Sequence, residues 1–102
     1  MDLNEYQKAT AKTLKPECNN KEYLTLGLNG EAGEVADKIK KIIRGDGLLD
    51  TGLLYEIGDV LWYVARLSAL FRVDLDYIAT LNLEKLEQRL SQGTISGSGD
   101  KR

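Results

Sequence analysis

Leu53-Leu54-Tyr55-Glu56-Ile57-Gly58-Asp59-Val60-Leu61-Trp62-Tyr63-Val64-Ala65-Arg66-Leu67 is the stretch whose reading decides the fold. Wound at 3.6 residues per turn, it covers most of its circumference with apolar or small residues. Glu56, Asp59 and Arg66 share one polar sector roughly 80° wide. No β-alternation persists here or elsewhere in the chain, so an all-α class follows. A helix this apolar is expected to be mostly buried, and a carboxylate pair inside it is expensive unless it is paired or bound to a metal. Three answers are open: Arg66 neutralises the pair, one carboxyl stays protonated, or a cation is shared with further carboxylates.

Working outward, the chain divides into four helices. The first runs from about Leu3 to Leu14 and stops before Pro16, because a residue preceding proline is biased away from helical backbone. The second follows Asn19-Asn20, with Asn19 as N-cap and Glu22 completing a capping-box-like pair, and ends at Gly45-Asp46-Gly47. Asp50 or Thr51 caps the third, which reaches about Arg72. Asp74 caps the fourth, which continues to about Gln92. Residues 1–92 are expected to form one domain, with 93–102 as a flexible tail on grounds of its Gly/Ser composition. Gly27, Gly30 and Gly33 sit three apart where each weakens a helix by about 1 kcal/mol. Either the helix begins only near Asn29, or the glycines line a strip approached by another backbone or a ligand; the second reading, a kinked or closely approached helix, is preferred.

On the second helix Glu31, Glu34 and Lys38 fall within roughly 60° of arc. Leu24, Leu28, Val35, Ile39 and Ile42 form the adjacent apolar stripe, so the acids lie at the border of the buried face. Glu-x-x-Glu alone is a common solvated pattern, and Glu34 to Lys38 is a standard ion pair. Joined to the third helix the pattern becomes Glu31-x-x-Glu34, twenty-one residues, then Glu56-x-x-Asp59. The intervening turn is long enough to set the two helices antiparallel, with the acid pairs facing across one cleft. The Gly45–Glu56 stretch lacks the alternating Asp/Asn ligands of an EF-hand.

Composition prunes the alternatives. The chain has no histidine and one cysteine, Cys18, among 102 residues. Ser-His-Asp and Cys-His catalysis and His-containing zinc sites are therefore excluded, and any metal must be held by oxygen, which favours Mg²⁺, Mn²⁺ or Ca²⁺. Lys and Arg number 14 against 16 Asp and Glu, a formal charge of -2. No basic excess exists to neutralise a nucleic-acid backbone. No signal segment and no membrane-spanning apolar run is present, so no membrane association and a cytoplasmic setting are expected.

Gly30-Glu31-Ala32-Gly33-Glu34-Val35 followed by Glu56-Ile57-Gly58-Asp59-Val60-Leu61-Trp62-Tyr63 resembles the hallmark of the MazG-like, all-α nucleoside triphosphate pyrophosphohydrolases. Glu5-Tyr6-Gln7 resembles the opening helix of their short, phage-type branch. Asn82-Leu83-Glu84-Lys85-Leu86-Glu87-Gln88-Arg89 is similar to the family's Asn-x-x-Lys-Leu-x-x-Arg segment. The resemblance implies a four-helix bundle-like protomer with antiparallel helices, and hydrolysis of (deoxy)nucleoside triphosphates to monophosphate and pyrophosphate. It implies Mg²⁺, with Mn²⁺ as substitute, held by Glu31, Glu34, Glu56 and Asp59. One of Glu31 and Glu34 also orients the attacking water. Lys38, Asn82, Lys85 and Arg89 are the implied triphosphate contacts, against a solvated helix face as the structural alternative. Trp62, Tyr63, Tyr6 and Gln7 either meet the base or fill the core.

The apolar excess of the third helix exceeds what a lone protomer covers, so a homodimer or homotetramer is expected. Two competing readings remain: a non-catalytic helical dimer serving as an interaction module, and a sister enzyme acting on dUTP or phosphoribosyl-ATP.

Overall fold

A computed structural model describes residues 1–101 and bears out the all-α class: four α-helices and two short 3₁₀ turns, with no strand among the described residues. Helices α1 (Leu3–Thr10), α2 (Lys21–Ile43), α3 (Thr51–Leu70) and α4 (Leu75–Gln92) follow in order. The first ends four residues earlier than its pattern suggests. The Thr10 and Thr13 hydroxyls bond back to the carbonyls of Gln7 and Thr10, and the chain tightens into 3₁₀ turns at Ala11–Thr13 and Pro16–Cys18. Local side-chain bonding of this kind competes with helix continuation.

The cap of α2 is Asn20, not Asn19. Asn19 closes the 3₁₀ turn through its N–H to Pro16 O, which leaves Asn20 Oδ1 to accept from Tyr23 N at 2.7 Å. Asp50 caps α3 by accepting from Gly52 N at 2.9 Å. That helix stops at Leu70 because Arg72 turns left-handed (φ 61°), with Val73 N bonding Ser68 O in the reversal. Asp74 occupies the cap position of α4 but its carboxylate makes no capping bond. The first amides of α4 are served instead by α1: Gln7 Oε1 accepts from Leu75 N at 2.9 Å and Asn4 Oδ1 from Asp76 N at 3.0 Å.

Helix α2 is continuous through its three glycines, so the reading in which it begins near Asn29 is set aside. Close approach occurs at one of them. A Cβ on Gly27 would clash with the ring of Tyr63, whereas Gly30 and Gly33 have nothing within 4 Å of that position. The facing pairs fix the register: Gly27 meets Tyr63, Glu31 meets Asp59 and Lys38 meets Gly52, so α2 and α3 run past each other in opposite directions.

The core is small, comprising Leu24, Leu53, Ala65 and Leu75. Helix α3 is not mostly buried within the protomer; Leu54, Tyr55 and Ile57 are exposed. Helix α4 packs on α1 and α3 at its start, and Leu81, Leu83 and Leu90 further along it are uncovered. The radius of gyration is 16.2 Å, against about 13 Å for a compact chain of this length. No helix among the described residues is long and apolar enough to cross a membrane.

Candidate metal centre

The α2–α3 register brings three of the four expected carboxylates together. Glu31, Glu56 and Asp59 each present an oxygen within 4.8 Å of the others, with Glu31 and Glu56 half-buried and Asp59 exposed. Glu34 lies one turn along α2, exposed and outside this group. Burial, first, and then the charges of Asp59 and Glu56 raise the Glu31 pKa above its ordinary value. A hydrogen bond to Glu56 and the more distant charge of Glu34 act in the same direction.

Among the described residues none of the four acids forms a salt bridge, so no ion pair there relieves this repulsion. Arg66 spends its guanidinium elsewhere. Its Nη1 donates to Gln7 O at 3.3 Å and Thr10 Oγ1 at 3.1 Å, and its buried Nε has no partner. The expected Glu34–Lys38 pair does not form, and Lys38 extends instead toward Gly52 at the start of α3. Uncompensated, partly buried carboxylates at this spacing suit a hard cation. Octahedral Mg²⁺ with Mg²⁺–O distances of about 2.1 Å sets adjacent ligands about 3 Å and opposite ones about 4.2 Å apart, so oxygens within 4.8 Å of one another must draw inward to bind a single ion.

Beside the acids opens a recess of about 650 Å³, lined by Glu31, Asp59, Trp62, Tyr63 and Tyr23, with Thr13, Lys15, Glu17 and Cys18 from the turns before α2. That volume falls in the range of small-molecule sites, about 300–1,000 Å³. Trp62 Nε1 donates to Thr13 Oγ1 at 2.8 Å, which ties the turn to α3. Trp62 stands edge-on to Tyr63 at 4.9 Å, and Tyr63 lies 6.5 Å from Tyr23. Hydrogen bonds to the Cys18 thiol and the Tyr63 hydroxyl push the Tyr23 pKa up to about 12. Tyr6 reaches the same neighbourhood: burial and the charge of Asp59 raise its pKa.

The remaining expected contacts lie elsewhere in the protomer. Asn82 is exposed on α4, and Lys85 and Arg89 hold Asp100. Gln7 spends its whole side-chain amide on the backbone of residues 65, 73 and 75 and does not line the recess. The sequence reading did not include Lys15, Glu17, Thr13 and Tyr23 in the site. Their one signal was Pro16, which fixes a turn next to the recess without saying what it faces.

The Gene 37 protein of Mycobacterium phage L5 is 48% identical over 85 residues, covering 78% of this chain and 75% of its own length. No solved structure matches the chain. Residues 19–93, which hold all four acids and the segment Asn82–Arg89, match the MazG nucleotide pyrophosphohydrolase domain, and the chain belongs to that family.

Proposed function

We propose that the protein hydrolyses (deoxy)nucleoside triphosphates to nucleoside monophosphate and pyrophosphate, using Mg²⁺ or Mn²⁺ held by Glu31, Glu56 and Asp59, with Glu34 completing the set. The observation that carries the reading is three clustered carboxylates with no salt bridge among the described residues, opening onto an aromatic recess, in a chain of this family. A divalent ion there neutralises phosphate charge and polarises the reacting phosphoryl oxygens.

The chain supplies the rest. Trp62, Tyr63 and Tyr23 form walls on which a base stacks, and the missing side chain at Gly27 leaves room for the Tyr63 ring against α2. Lys15 is the cation lining the recess and meets the phosphate chain. One of Glu31 and Glu34 orients the attacking water and takes its proton as the α–β anhydride breaks and pyrophosphate leaves. Glu34, standing outside the triad, is the less encumbered of the two.

The open protomer, with its uncovered α3 and α4, forms a homodimer or homotetramer in which antiparallel helices complete a bundle. In that assembly Lys38, Asn82, Lys85 and Arg89 serve as triphosphate contacts. The expected setting is the cytoplasm.

The test is incubation with Mg²⁺ and each of the eight common (d)NTPs, and with dUTP and phosphoribosyl-ATP, followed by chromatography of the products. Monophosphate plus pyrophosphate, abolished by EDTA, supports the reading. Diphosphate plus phosphate overturns the bond assignment. Turnover confined to dUTP or phosphoribosyl-ATP reassigns the substrate, and no turnover of any of these leaves the non-catalytic helical dimer.

A further inference from the structure

Trp62 and Thr13 stand 49 positions apart in sequence, and both line the recess beside the acids. The indole Nε1 donates to Thr13 Oγ1 at 2.8 Å, and that hydroxyl donates in turn to Thr10 O at 3.1 Å. A threonine hydroxyl has one proton to give. Donating it to Thr10 fixes the rotor and leaves an oxygen lone pair for the indole N–H. Thr13 therefore gives the ring a direction as well as a contact.

The ring has need of one. Tyr63 lies against α2, where Gly27 leaves room for it. Trp62, one residue earlier, points about 100° round the helix from that seat. Its ring is half-buried and meets Tyr63 edge-on at 4.9 Å. The polar end of the indole is anchored by Thr13, in the 3₁₀ turn that follows α1. Two residues further on, Lys15 has extended backbone (φ −75°, ψ 136°) and lines the same recess. One hydrogen bond thus joins the stacking wall to the turn that carries the recess cation. Thr13 is exposed, so water is within reach of this bond, and what the threonine adds over water is a fixed orientation. Trp62 lies inside the residues that match the family domain, 19–93, and Thr13 lies before them.

We propose that Thr13 is a positioning residue for nucleotide binding: its hydroxyl holds the Trp62 ring ready to stack on the base, a role that rests on the nucleotide-hydrolase reading for its ligand. A ring ordered beforehand loses less freedom when the base arrives. Removing the hydroxyl therefore weakens substrate and transition state alike, which raises KM and leaves kcat as it was.

The experiment uses the full chain with Mg²⁺ and the α,β-methylene deoxynucleoside triphosphates, in which the anhydride proposed to break is replaced and no turnover occurs. Calorimetric titration gives Kd, and emission from Trp62, the single tryptophan of the chain, reports on the ring. Thr13→Val is expected to bind the analogue roughly fivefold more weakly, with emission moved toward that of a water-exposed indole. Thr13→Ser keeps the hydroxyl and is expected to match the parent in both. Trp62→Phe removes the same bond from its other end, so adding Thr13→Val to it is expected to lower affinity no further. With the hydrolysable triphosphates, Thr13→Val should raise KM by the same factor at unchanged kcat. Helical circular dichroism checks that each variant folds.

Equal affinity of Thr13→Val and the parent, with or without a lower melting temperature, overturns the role. So does an equal loss in Thr13→Ser, an undiminished loss in the Trp62→Phe background, or no binding of any analogue by the parent. A protein that hydrolyses no triphosphate yet loses analogue affinity in Thr13→Val removes the hydrolase reading alone. An active protein whose Thr13→Val binds as the parent does removes this role alone.

Discussion

Gln7 Oε1 accepts the backbone N–H of Leu75 at 2.9 Å, so a side chain from α1 caps the last helix of the chain across 68 positions of sequence. The other end of the same amide donates to Val73 O at 3.0 Å and Ala65 O at 3.2 Å, which holds the end of α3, the turn and the start of α4 together. Gln7 and Leu75 are both buried, so water does not replace what Gln7 supplies.

Gln7→Leu is therefore expected to destabilise the protein by about 2–4 kcal/mol, since it strands buried backbone groups while keeping the side-chain volume. Urea unfolding at fixed protein concentration measures the loss. Hydrogen exchange at Leu75 and Asp76 should accelerate more than at Leu24. A uniform acceleration at all three would contradict the latch.

Gly27 and Gly33 are predicted to respond oppositely to alanine. At Gly27 the new methyl meets the Tyr63 ring and should cost about 1–3 kcal/mol through displacement of that ring. At Gly33 the position is open, so the methyl should add about 0.5–1 kcal/mol of helix stability. Thermal denaturation of the two variants decides it, and a destabilised Gly33→Ala would mean that a partner helix comes close there.

Glu31 gives the acid triad a pH signature. Its folded pKa lies above that of the unfolded chain, so its contribution favours the fold fully below pH 4.5 and is lost as pH rises through the folded value. Metal-free protein should lose stability over this interval, and Mg²⁺ should restore it. Melting temperatures with and without Mg²⁺ at pH 4.5 and pH 7.5 are the check, with the larger Mg²⁺-induced rise expected at pH 7.5. Equal shifts at both values would place the ion elsewhere.

Glu56→Gln separates charge repulsion from metal binding. Removing one carboxylate from the triad should raise the stability of the metal-free protein at neutral pH, because Glu31 loses a repelling neighbour. The same change should lower Mg²⁺ affinity by at least roughly tenfold and nucleotide hydrolysis with it. Isothermal titration with Mg²⁺, beside a melting curve of the apo-protein, reads both effects. A variant that binds Mg²⁺ like the parent would remove Glu56 from the ligand set.

The four helices, the hairpin of α2 and α3 and the acids it aligns were legible in the sequence, because each follows from local rules. Apolar spacing, a breaker at Gly45-Asp46-Gly47 and two carboxylate pairs at i, i+3 suffice for them. What the tertiary structure decided is which neighbours each group meets. Capping of α4 passed from the adjacent Asp74 to the distant Gln7 and Asn4, Arg66 was drawn away from Glu56 and Asp59 toward α1, and one glycine of three received a ring. Glu34 fell outside the triad although its spacing matches that of Glu31, because a helical face fixes direction while the partner helix fixes depth. Periodicity is a property of one helix. Compensation of charge, occupation of a gap and the walls of a recess are properties of two or more helices, and spacing along one chain does not determine them.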